Sequence, residues 1–180
     1  MRFGDVKLEG GLWMIQVYTG NGKGKTTAAI GLALRAAGAG LNVYIVQFAK
    51  GRQYNEIRAL KKINNIKIEQ FGRHCFIKEC PDKIDIQMAQ RGFKRAGQII
   101  LKKKFQLVIL DEINIAVKLK LIPLVNLLKL IKRTPKGTEL VLTGRYAHPS
   151  VIRLADLVSE VNDLKHYYNR GISARRGIEF

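Results

Sequence analysis

Thr19-Gly20-Asn21-Gly22-Lys23-Gly24-Lys25-Thr26-Thr27 is the stretch that decides the fold. Residues 12–18 before it form a short apolar run, which predicts a strand. Residues 25–37 after it are rich in Ala and Leu and stop at Gly38, which predicts a helix with a glycine stop. A glycine-rich turn between a strand and a helix can point its N–H groups inward around an anion. The helix N-terminus adds partial positive charge at the same place. Gly24-Lys25-Thr26 fits the phosphate-loop pattern of Gly, four residues, then Gly-Lys-Ser/Thr, but Thr19 stands at the leading position and glycine comes one place later. Lys25, expected at an exposed helix start, can reach phosphate oxygens, and the Thr26 hydroxyl is placed for Mg²⁺. A turn that holds nothing is the weaker reading, because both the residue types and the strand–helix context are right for phosphate.

Outward from the loop, strand and helix patterns alternate. Strands are predicted at 41–48, 66–71, 106–111, 139–143 and 157–161. Helices are predicted at 54–62, 84–104, 123–133 (with Pro123 at its start) and 149–155. Residues 72–82 read as a loop, and the tail from Lys165 to Phe180 has no clear period. Continuous apolar strands separated by helices imply α/β architecture: a mainly parallel central sheet with helices on both faces, in three layers. Residues 1–180 are expected to form a single nucleotide-binding domain. Ligands of such sheets bind beyond the carboxyl ends of the strands. The segments 19–27, 111–112 and 143–145 all follow strands, so they should meet on one rim.

Leu107-Val108-Ile109-Leu110-Asp111-Glu112 runs from apolar residues into two carboxylates. Alone it could be a helix cap at a strand end. Beside a phosphate loop it is the usual metal-side partner, with Thr26, Asp111 and Glu112 as candidate ligands of Mg²⁺ or Mn²⁺. The expected ATP-binding residues are Gly20, Asn21, Gly22, Lys23, Gly24, Lys25, Thr26 and Thr27.

Composition narrows the partners. A 47% hydrophobic and 26% charged chain is neither disordered, collagen-like nor a coiled coil. At 180 residues it can bury roughly 70% of its unfolded surface without a staple. Its formal net charge of +18 attracts polyanions without choosing among nucleic acid, nucleotide and acidic protein, and a plain solvated surface is as good a reading. Cys75 and Cys80 are too few for a disulfide framework, and with His74, His148 and His166 they complete no zinc spacing. No apolar run is long enough for a membrane span, and residues 1–10 lack a signal-peptide pattern. The expectation is a reduced, cytoplasmic, soluble protein.

Beyond the nucleotide segments, further text carries a resemblance. It includes Val46-Gln47-Phe48-Ala49-Lys50-Gly51, Thr143-Gly144-Arg145 and Ala155-Asp156-Leu157-Val158-Ser159-Glu160. Lys165-His166 and the ending Gly177-Ile178-Glu179-Phe180 complete the set, in family order over nearly the whole chain. The chain resembles the P-loop ATP:corrinoid adenosyltransferases, also called cob(I)alamin adenosyltransferases. The resemblance implies a RecA-like P-loop NTPase fold and transfer of the 5′-deoxyadenosyl group of ATP to Co(I) of cob(I)alamin or a cobinamide-type precursor. Triphosphate leaves, and the reaction serves cobalamin biosynthesis or salvage. Attack at the ribose carbon accounts for the shifted glycine, with the triphosphate running through the loop in the opposite sense to other P-loop enzymes.

On this reading Lys25, Thr26 and Glu112 carry catalysis. The resemblance also implies a homodimer and an electron-donor flavoprotein. It places apolar and aromatic side chains against the lower cobalt face in the loop after the third strand. Phe76 and Ile77 stand there, where some members carry an aromatic pair. The competing reading is a small basic RecA-like ATPase acting on nucleic acid. The charge favours it, but the chain lacks an aromatic-studded basic loop for stacking bases, and its lysines are scattered. No specific nucleic-acid partner and no membrane partner are expected. A regulator without catalysis is disfavoured, since Gly24, Lys25, Thr26, Asp111 and Glu112 are all retained.

Overall fold

The computed structural model describes residues 13–49, 51, 54–73 and 81–179. Among the described residues six strands, β1 (Ile15–Thr19), β2 (Val43–Phe48), β3 (Ile66–Phe71), β4 (Leu107–Asp111), β5 (Glu139–Thr143) and β6 (Leu157–Glu160), form one sheet. Its order is β3-β2-β4-β5-β1-β6, and every pairing is parallel. One strand, β5, separates the phosphate-loop strand β1 from the acid-ended β4, the arrangement of the RecA-like P-loop fold.

Strand alternation sorts the core into two layers. Val43, Ile45, Leu107, Ile109 and Val141 face Ala29, Ala33 and Ala36 of α1 (Lys25–Gly38) and Leu60 of α2 (Asn55–Leu60). Tyr44, Val46, Phe48, Val108, Leu110, Leu140 and Leu142 pack on the opposite face. There they meet α3 (Lys83–Leu101), α4 (Ile113–Lys118), α5 (Leu124–Lys132) and α6 (Pro149–Ile152). The small alanines on α1 let it approach the sheet closely, so the helix that starts at the phosphate loop rests on four strands, β1, β2, β4 and β5.

The start of α3 has a capping box. The Asp85 carboxylate accepts from Asp82 N at 3.0 Å, and the Asp82 side chain accepts in return from the first turn. Arg73, just after β3, donates to both Asp85 oxygens at 2.7 and 2.6 Å and to Asp82 at 2.7 Å.

Several boundaries move from the sequence reading. The long helix ends at Leu101, not at 104, because Lys103 takes a left-handed backbone with φ +53°. Helix α4 fills a stretch that the apolar pattern left unassigned. The tail, without a period, still orders a short 3₁₀ turn at Tyr167–Arg170. Among the described residues no helix is long and apolar enough to cross a membrane.

Candidate active site

All six strands run the same way, so their carboxyl ends share one rim. Residues 19–27, 111–112 and 143–145 meet there, as their positions after strands predict. The loop leaves β1 at Thr19, whose hydroxyl accepts from Ala147 N at 3.3 Å.

Its glycines are required for two different reasons. Gly20 and Gly22 have no room for a side chain. A Cβ on Gly20 would sit 2.4 Å from Val161 O, and one on Gly22 would sit 2.8 Å from the same oxygen. Gly24 has open space around it, but its φ of +120° is strained for any L side chain. The shifted glycine pattern thus answers the backbone after β6, which lies on the loop, as much as any anion.

Lys25 does not stand exposed at the helix start, as the sequence suggested. It is only 7% exposed, because its ammonium turns back and donates to Gly22 O at 2.5 Å. Curling over the loop shields the stem and leaves the ammonium over the turn at Gly22.

Asp111, 1% exposed at the end of β4, receives hydrogen bonds from three elements. Thr26 Oγ1 donates to its Oδ1 at 2.8 Å, and Thr143 Oγ1 donates to the same oxygen at 2.6 Å. Gln47 Nε2, from β2, donates to Oδ2 at 3.1 Å. Gln47 is in turn held by Gln70 Nε2, which donates to its Oε1 at 3.0 Å. Glu112 takes a left-handed backbone, φ +62°, and turns the chain from β4 into α4. Its N–H donates to Thr143 Oγ1 at 3.0 Å. Its carboxylate lies against Gly144, where a Cβ would come within 3.1 Å of Oε2. Behind it, Asn114 donates to Gly144 O at 3.2 Å, and its own Oδ1 is buried without a hydrogen-bond partner among the described residues.

These donors and acceptors fit Mg²⁺. The described residues contain no cluster of three His, Cys, Asp or Glu side chains that would cage a metal. Mg²⁺ needs no such cage; it is commonly held by one or two carboxylates, substrate phosphates and water. Thr26, Asp111 and Glu112 bring oxygens of that kind together at the foot of the glycine-rich loop.

Lys23 faces the other way. Its backbone N–H donates to Asp163 Oδ1 at 3.1 Å, and its ammonium donates to Tyr167 OH at 2.6 Å and Glu179 Oε1 at 2.7 Å. The Lys23 ammonium beside it, with Tyr167 and the Arg175 amide, holds the Glu179 carboxyl well below the usual carboxylate range. The reading of the sequence missed Gln47, Asp163, Tyr167 and Glu179 as neighbours of the loop. Alternation along β2 flags Gln47 as a polar residue in an apolar run, but nothing in the tail marks its return to residue 23. Phe76 and Ile77, expected to face the corrinoid, lie outside the described residues, as do His74, Cys75 and Cys80.

The family model described as ATP:corrinoid adenosyltransferase BtuR/CobO/CobP matches residues 12–180. A Sinorhizobium corrinoid adenosyltransferase is 36% identical over 93% of this chain and 80% of its own length. The Escherichia coli K12 corrinoid adenosyltransferase is 32% identical, over 93% of this chain and 85% of its own. A Nostoc protein described as uncharacterized protein all2391 is 35% identical over 92% of this chain, which spans only 48% of that protein.

Proposed function

Because the chain belongs to the ATP:corrinoid adenosyltransferase BtuR/CobO/CobP family, we propose that it transfers the 5′-deoxyadenosyl group of ATP to the Co(I) of a corrinoid substrate and releases triphosphate. The observation that carries this reading is the junction of Thr26, Asp111 and Thr143 at the foot of the phosphate loop. It joins a triphosphate cradle to an oriented carboxylate on one rim, with no separate water-activating base required.

In this proposal the loop from Gly20 to Thr27 surrounds the triphosphate. Negative charge grows on the leaving group as the carbon–oxygen bond breaks. Lys25 and the N–H groups at the start of α1 would stabilise that charge without reorganising, which is the role the proposal gives them. Thr26, Asp111 and Glu112 would hold Mg²⁺ or Mn²⁺, which supplies charge neutralisation on the phosphates when bound. Asp111 keeps its orientation through Gln47 and Thr143. The proposal also takes in a homodimer, a flavoprotein electron donor, and Phe76 with Ile77 on the corrinoid side. Cobalamin biosynthesis and salvage both use this product. Attraction of ATP and of an acidic donor protein gives the +18 charge a use without nucleic acid.

The test is anaerobic incubation with Mg-ATP and chemically reduced cob(I)alamin. The expected result is the light-sensitive absorbance of the adenosylated product. No change in absorbance, with the corrinoid kept reduced, would overturn the reading.

A further inference from the structure

The C-terminal segment is built onto the phosphate loop at successive points. Val161 O accepts from Gly22 N at 2.7 Å, and Asp163 accepts from Lys23 N. The Lys23 ammonium then reaches past them to Tyr167 OH and Glu179 Oε1. Tyr167 also donates to Glu179 Oε1. The other Glu179 oxygen accepts from Arg175 N at 2.6 Å, and the Arg175 guanidinium lies over the Tyr167 ring, 4.8 Å from its centroid. Glu179 is therefore held by Tyr167 and by Arg175 before it meets Lys23.

An ion pair as open to water as this one, with Lys23 40% exposed, adds little to folding. What it does change is where residue 23 can go. Lys23 lies between two glycines, Gly22 and Gly24, at the most pliable part of the loop. With its amide and its ammonium both held by the tail, the loop loses the freedom that those glycines would give it. Two of its N–H groups, on Gly22 and Lys23, are also turned toward the tail. Phosphate binding is thereby concentrated on the residues that open α1.

We propose that Glu179, with Tyr167, is a positioning residue for ATP: it clamps Lys23 so that the phosphate loop is preformed for the triphosphate. This rests on the reading of the loop as the ATP site. Lys23 on this account works outward, as the loop's anchor, and does not neutralise the triphosphate.

The experiment measures Mg-ATP affinity by calorimetry, without corrinoid, for the wild type, E179A, E179Q, K23M and the K23M/E179A pair. Thermal melting and saturated transfer rates are recorded in parallel. Loss of preorganisation should weaken Mg-ATP binding in E179A by roughly tenfold, with kcat at saturating ATP close to wild type. E179Q keeps an acceptor for Lys23 and should recover part of the loss. The double variant should bind no worse than K23M, because both changes break one link. Wild-type affinity in E179A, with or without a lower melting temperature, overturns the clamp, and so do losses that multiply in the double variant. Should E179A fail to fold, Tyr167→Phe and E179Q make the same comparison. Failure of adenosyl transfer by a wild type that binds Mg-ATP overturns the proposed function and leaves the clamp standing. A wild type that binds no Mg-ATP overturns both.

Discussion

The Thr26 hydroxyl donates to Asp111 Oδ1 over 2.8 Å, although 85 positions of sequence separate the two residues. This bond ties the first turn of α1 to the end of β4 across the intervening strand β5. Thr143, on β5 itself, donates to the same oxygen, so one carboxylate atom joins loop, acid strand and the strand between them. The glycine-rich turn and the Asp111 carboxylate are thereby held in one geometry.

Thr26→Ala should therefore damage catalysis far more than folding. Asp111 keeps its bonds from Thr143 and Gln47, so the stability loss should be about 0.5–1.5 kcal/mol. The rate of transfer should fall by roughly 10²–10³, the scale for losing one preorganised transition-state contact. Thr26→Ser keeps the hydroxyl and should stay within a few-fold of wild type. Thermal melts and anaerobic transfer rates on the three proteins check this; equal activity in the alanine and serine variants would remove Thr26 from the site.

Lys25→Met should keep the fold, since Met matches the length of the buried stem. It should lose transfer by at least about 10²-fold, because the charge over the loop is gone. The variant needs Met and not Ala: Lys25 is buried against the loop, and truncating it would confuse a packing defect with a charge defect. Near-normal transfer with a normal melting curve would refute the role given to Lys25.

What could be read in advance followed from local chemistry. The apolar run ending in Asp111, the Ala-rich helix after Lys25 and the Gly-Lys-Thr turn each carry their meaning within a few residues, and each appears where expected. What could not be read was long-range. Helix α4 is short, β-branched and begins directly after a left-handed Glu112, so neither period nor propensity announces it. Gln47 looks like a blemish in a buried strand until β2 pairs with β4 and brings it beside Asp111. Gly20 and Gly22 look like anion-loop glycines, yet their space is taken by Val161 in the chain after β6. Glu179 finds Lys23 only through the fold of a tail that has no hydrophobic pattern to follow.

Gly144→Ala should be costly, because Gly144 is buried against the start of α4. Its φ of +124° is strained for alanine, and the added methyl would crowd Glu112 Oε2 at 3.1 Å and Ile115 N at 3.2 Å. The backbone strain alone is about 1–3 kcal/mol. Moving Glu112 aside should also slow transfer. A lowered melting temperature together with slower transfer is the expected pair. An unchanged rate would mean that the position of the Glu112 carboxylate does not matter.

Asp85 gives the fold an acid-sensitive joint. The hydrogen-bonded Arg73 guanidinium outweighs burial and holds its carboxyl below the ordinary range. A carboxylate whose folded pKa is depressed contributes stability that is complete above the unfolded value, about 4. That contribution drains away as pH falls through the folded value. Wild type should therefore lose melting temperature as pH drops below about 4. Asp85→Asn should start lower at pH 7 by about 1–3 kcal/mol and show a flatter acid limb. Parallel slopes in the two proteins would show that Asp85 contributes nothing to the acid response.

The released group should be intact triphosphate. An attack on the ribose 5′ carbon breaks the bond between that carbon and the α-phosphate oxygen, so all three phosphates leave joined. An attack on phosphorus at the γ position would instead give ADP and orthophosphate. Lys25 and the start of α1 cannot by themselves distinguish these outcomes, since either reaction places growing charge on phosphate oxygens. The products can. Anaerobic turnover with reduced corrinoid should give one triphosphate per adenosylated product and no orthophosphate in step with it. Adding single-stranded DNA should leave that rate unchanged at physiological salt. A chain of charge +18 will still hold DNA at low salt by releasing counterions, and that attraction falls steeply as salt rises. Corrinoid-independent ADP formation that DNA accelerates at physiological salt would instead favour the ATPase reading.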